Sequence, residues 1–132
     1  MFGWSVLVAR VLLATMFLVS GWNALSDIGG TTAYFAGLGL PMPGAAAVLT
    51  GVFELAGGIA LLMGLLARPF ALALAAFTLA ATFIGHYGQG DGAMAFWHMQ
   101  MFLKDIAVAG GLAVLAVHGP GELSIDARRD VL

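Results

Sequence analysis

Four runs of about twenty apolar residues, at 4–25, 45–66, 69–87 and 96–117, leave this chain little choice of fold. A helix rising about 1.5 Å per residue crosses a bilayer core in that length, and inside lipid it satisfies its own backbone hydrogen bonds. Charge supports the same reading. A soluble domain carries about a quarter charged residues, whereas here 9% are charged and 61% are hydrophobic. The expectation is therefore an all-α fold, a four-transmembrane-helix bundle occupying 1–132 as one integral membrane domain. Its principal partner is the lipid bilayer. A net charge of −2 gives no basic face for nucleic acid. The chain has no cysteine, so by itself it offers no disulfide, thiol exchange, cysteine-ligated iron–sulfur cluster or covalently attached haem. The first run is too long for a signal-peptide core and carries Arg10 inside it, so it reads as a retained span.

The connections are short except one. Ala67-Arg68-Pro69 reads as a tight hairpin, with Pro69 in the first turn of the third helix. Residues 86–92 form a glycine-rich polar loop, and Phe96-Trp97 is the kind of aromatic pair found at a membrane interface. Residues 26–44 are too apolar for a free loop. Thr31 or Thr32 is expected to cap a short helix through Tyr34, Phe35 and Leu38, stopped by Gly39 and Pro41, lying as a lid on the outer surface. Residues 118–132 read as a tail. Ala56-Gly57-Gly58-Ile59-Ala60 is echoed by Ala109-Gly110-Gly111-Leu112-Ala113, but such runs are common in membrane helices and chance explains the echo.

An ionisable side chain within a span costs about 2.5–3.5 kcal/mol on insertion scales. Arg10, Glu54, Lys104 and Asp105 all lie in spans, two of each sign. Glu54 and Lys104 fall at nearly equal depth below the outer ends of their spans. Arg10 lies deeper, either reaching toward Glu54 or extending its side chain to the inner surface. The simplest arrangement centres Glu54 between Lys104 and Arg10. Faces at spacings of three and four agree: Arg10, Ala14, Phe17 and Gly21; Gly51, Glu54 and Gly58; Thr78, Thr82 and His86; Lys104, Val108 and Gly111. Asp105 follows Lys104 by about 100° around the helix and is expected to face another neighbour. The row Ala56, Ala60 and Gly64 marks a second close contact and admits a homo-oligomer.

The histidines were weighed as ligands. His86 and His98 share a depth that would suit two imidazoles on a haem, although interfacial histidines are more often simply solvated. A zinc site would need further ligands, and only Asp91 is near. Met94, Met99 and Met101 beside His98 fit packing better than copper. No metal site is assigned. His86 is the best proton-handling group, since its charge changes near neutral pH. The catalytic candidates are Glu54, His86 and Lys104; the ligand-binding candidates are Arg10, Glu54, Thr82, His86, Lys104 and Asp105.

At this point the residues resemble the DoxX family of small bacterial four-span membrane proteins. The resemblance begins at Arg10 and Phe17-Leu18-Val19-Ser20-Gly21. It continues through the run from Tyr34 to Pro43, Glu54-Leu55-Ala56-Gly57-Gly58, Gly64, His86 and Phe102-Leu103-Lys104, and closes on Gly119-Pro120-Gly121 and Leu123-Ser124-Ile125-Asp126. Asp105 departs from the pattern, which usually has asparagine after that lysine. The resemblance implies an inner-membrane, multi-pass protein linked to membrane oxidoreductase complexes, in one branch a thiosulfate–quinone oxidoreductase. Glu54, His86 and Lys104 would then border a quinone or proton site. No cofactor is intrinsic; a quinone is the ligand and a redox protein the partner that the likeness implies, making the chain at most an oxidoreductase subunit. The alternatives are a structural or anchoring subunit without catalysis, and a small proton-linked transporter.

Basic residues set the expected orientation. Arg68 lies in the second connection and Arg128 and Arg129 in the tail, whereas the first and third connections carry only Asp27 and Asp91 as charges. The positive-inside rule places both termini and the Arg68 hairpin in the cytoplasm. A cytoplasm-only reporter fused to the C-terminus is expected to be active and a periplasm-only reporter silent; the reverse pattern would invert the assignment.

Overall fold

A computed structural model describes residues 3–129, and the tail residues 130–132 lie outside the described part. The helices are α1 (Gly3–Ser26), α2 (Ile28–Gly37), α3 (Pro43–Met63), α4 (Ala67–Gly85), α5 (Ala93–His118) and a final turn α6 (Ile125–Arg129). There is no strand among the described residues. α1, α3, α4 and α5 are long and apolar enough to cross a membrane. Their connectivity gathers the start of α1, the α3–α4 hairpin and the end of α5 at one end of the bundle. The other end carries α2 and is called the lid end below.

Two tight helix pairs make up the bundle, α1 with α3 and α4 with α5. Apolar side chains gain no hydrophobic free energy by leaving lipid for protein, so close packing must hold the spans together. In the first pair glycine permits that approach: a Cβ at Gly21 would lie 2.7 Å from the Leu55 amide nitrogen. Phe17, Leu61, Leu74 and Leu112, one from each span, are fully buried at the centre. Val19, Leu49, Leu72 and Val114 point outward, as lipid-facing residues should. The expected stripe on α1 is the buried one: Arg10, Ala14, Phe17 and Gly21.

Several expectations are corrected. The second span stops at Met63 rather than residue 66, because Gly64 turns left-handed (φ 67°) and donates back to Ala60 and Leu61. The hairpin is therefore Gly64–Leu66, and Pro69 falls within the first turn of α4. On α5 the buried residues are Ala109, Leu112 and Leu115, whereas Lys104 and Gly111 are exposed. Asp105, half-buried, lies on this inward stripe at helical spacing. In the row Ala56, Ala60 and Gly64, the last two are buried within the chain and only Ala56 is exposed, so the close contact this row makes lies within the chain.

Of the two readings of Arg10, the structure takes the second: the side chain runs to the terminal end and not to Glu54. Its guanidinium extends to the terminal end, donating to the carbonyls of Pro120 (2.8 Å), Leu123 (2.9 Å) and Leu62 (3.4 Å). The tail is consequently no free segment. It folds back so that the Asp126 carboxylate accepts from the Leu66 and Ala67 amides, both at 2.8 Å. Leu66 is left-handed (φ 48°), a conformation that costs a residue with a Cβ about 1–2 kcal/mol. Asp126 holds it there while capping α4. Arg10 and Asp126 are both essentially inaccessible and attract one another electrostatically.

Removing one member of a buried charge pair leaves the other uncompensated. Asp126→Ala is expected to cost about 3 kcal/mol and to make the tail protease-sensitive in detergent micelles. Arg10→Met together with Asp126→Ala should lose less than the sum of the two single changes; thermal unfolding of the three variants checks this.

Candidate functional site

Toward the lid end the four spans and α2 enclose a cavity of about 480 Å³. Ligand pockets commonly have this size, with apolar walls and a few placed polar groups. Here α1 contributes Met16, Phe17 and Ser20, α3 contributes Thr50 and Glu54, α4 contributes Phe77, Thr78 and Ile84, and α5 contributes Lys104 and Asp105. His86, just past the end of α4, completes the polar set.

α2 roofs the cavity with Tyr34 and Phe35. Its cap is Asp27, not Thr31 or Thr32. The Asp27 carboxylate accepts from the Gly30 amide at 3.0 Å, while the Thr31 hydroxyl donates back to the Asp27 carbonyl. A short acid side chain ahead of the first turn outcompetes a threonine inside it. The Tyr34 hydroxyl donates to the Gly85 carbonyl at 2.6 Å, one of the carbonyls that the end of α4 leaves without a helical partner. That bond spans from the lid to the far helix pair. Burial pushes the Tyr34 phenol upward in pKa, so it remains a donor through neutral and mildly alkaline pH.

Glu54 is 8% exposed and shares the cavity lining with Ser20. Lys104 lines the same cavity, but its ammonium pairs with Asp105 at 3.3 Å. The expected direct Glu54–Lys104 pair is thus replaced by a Lys104–Asp105 pair, with Glu54 on the lining of the same cavity. The expectation that Asp105 faces elsewhere is corrected. Its stem is short and fixed on the inward stripe, whereas the long lysine stem swings back to it. Thr78 lines the cavity, and Thr82, fully buried one turn on, does not. Neither hydroxyl has a hydrogen-bond partner among the described residues. Of the six ligand-binding candidates, Glu54, His86, Lys104 and Asp105 meet at the cavity; Arg10 and Thr82 do not.

Sequence reasoning missed the contact between His86 and His98, whose Nδ1 atoms lie 2.9 Å apart. One ring donates and the other accepts. Their shared depth was the available signal. Among the described residues no group of three or more His, Asp or Glu side chains is placed to hold a metal ion.

A family model described as DoxX matches residues 5–87, which include Arg10, Glu54 and His86. Inner membrane protein YqjF of Escherichia coli (strain K12) is 38% identical over 121 residues, covering 92% of this chain and 88% of that protein. Inner membrane protein YphA of the same organism is 35% identical over 124 residues, covering 93% and 89%. These longer matches extend across Lys104 and Asp105. No solved structure is significantly similar. With four spans and such relatives, this chain is a multi-pass protein of the bacterial inner membrane.

The lid contact can be tested alone. Tyr34→Phe removes one hydrogen bond worth about 1 kcal/mol. It is expected to speed amide exchange in α2 several-fold while leaving the core of α3 and α4 unchanged; equal protection of α2 in both proteins would mean that the phenol does not hold the lid.

Proposed function

The chain belongs to the DoxX family, and from that premise we propose that it is the membrane subunit of a quinone-linked redox system, acting with a partner protein that supplies the redox cofactors. The observation that carries this reading is the lidded apolar cavity holding Glu54, Lys104, Asp105 and His86. A quinone ring is flat and apolar with two carbonyl oxygens, so its seat must combine aromatic walls with a few donors and acceptors. Phe35 and Phe77 supply such walls. The Lys104 ammonium and the Thr78 hydroxyl are donors for a quinone carbonyl, and Glu54 is an acceptor for a quinol hydroxyl.

Reduction of a quinone to its quinol takes two electrons and two protons. The electrons come from the partner. This chain contributes the seat, the exclusion of water and the proton-exchanging groups Glu54, His86 and Asp105. The residues about Arg10 have a different task. Their charges are consumed by helix ends and the tail, which favours a purely structural role for that cluster.

Mass spectrometry of protein purified in native lipid is expected to find bound quinone. Glu54→Gln should fold normally but bind decylubiquinol about tenfold more weakly, the loss of one hydrogen bond involving a charged group. Full binding and full quinone-linked turnover in that variant would reduce the cavity to a packing feature.

A further inference from the structure

We infer that His86 and His98 form a proton relay between the cavity and the aqueous phase on the lid side, with His98 as the outer member. The geometry is specific. His86 lines the cavity, and its Nδ1 is held 2.9 Å from the Nδ1 of His98. The rings are 5.1 Å apart and tilted by 39°. His98 is half-buried on the opening turns of α5, next to the glycine-rich connection that carries the exposed Asp91. The pair therefore stands between the cavity, which His86 lines, and the glycine-rich connection beside His98.

A neutral imidazole donates through one nitrogen and accepts at the other, so two rings joined through Nδ1 share one proton across the bond. With His86 as donor, a proton from the cavity adds to His86 Nε2 while the Nδ1 proton passes to His98 Nδ1. The proton on His98 Nε2 then leaves to water. One proton enters, one leaves, and the hydrogen bond reverses direction. The charged and titratable groups around the pair are Glu54 from α3, Lys104 and Asp105 from α5, Tyr34 from α2 through the Gly85 carbonyl, and Tyr87 and Asp91 from the connection. The inference rests on the quinone reading only for the use to which the protons are put.

The test reads proton access directly. In lipid nanodiscs, an acid jump is followed by time-resolved infrared absorption of the Glu54 carboxylic acid, identified by its loss in Glu54→Gln. His98→Ala is expected to slow this protonation about a hundredfold, and added imidazole to restore it. His98→Gln, which still hydrogen-bonds but cannot relay, should be equally slow. An unchanged rate in His98→Ala, or a slow rate that imidazole does not restore, overturns the relay. Decylubiquinone binding by the same preparations judges the quinone reading separately: wild-type protein that relays protons without binding decylubiquinone would end that reading and leave the relay standing.

Discussion

Lipid offers nothing to a peptide carbonyl or amide, and every helix end near the bilayer must find another partner. At the terminal end of this bundle that demand is met by charge. Arg10 collects the carbonyl of Leu62 near the end of α3 and two carbonyls of the returning tail. Asp126 serves the opposite need, accepting two amides where α4 begins. Arg68 does for α5 what Arg10 does for α3, donating to the carbonyls of Val117 and His118. One guanidinium has five donors and one carboxylate about four acceptor sites, so few residues satisfy many backbone groups. The buried charges here do not so much pair with each other as close three helix ends.

That closure makes the two ends of the molecule unlike. With the terminal end locked, polar groups from all four spans are left around open space toward the lid end. The roof across it is a ten-residue helix that packs mainly on α3 and reaches α4 through the Tyr34 hydroxyl. A rigid base with a lightly attached cover is how a site can admit an apolar molecule without loosening the bundle.

The spans and the inward face of α1 were legible in the sequence, because periodicity and hydropathy report which way a backbone faces, whereas the grouping of Glu54, His86 and Lys104 came from the family resemblance. What they do not report is where a long side chain ends. The level of its Cα left Arg10 two possible ends and pointed Lys104 at Glu54. In the structure Arg10 runs along its helix to the terminal end, and Lys104 turns back to its neighbour Asp105. The tail was illegible for a different reason: glycine, proline and serine read as solvated loop, and nothing local shows that a loop will be drawn in by a distant arginine. The pairing of His86 with His98 lay between these cases, with equal depth visible and the facing of the rings set only by tertiary packing.

The returning tail also bears on the order of events during synthesis. Arg10 is among the first residues to enter the membrane, yet Pro120 and Leu123, which satisfy it, emerge only after all four spans have been made. Until then the guanidinium must be accommodated by water, headgroups or the insertion machinery. The first span is thus a provisional helix, and the bundle becomes self-sufficient only when the later tail folds back onto it. A chain whose four spans are complete but whose tail has not yet folded back would still carry an unquenched cation at its base.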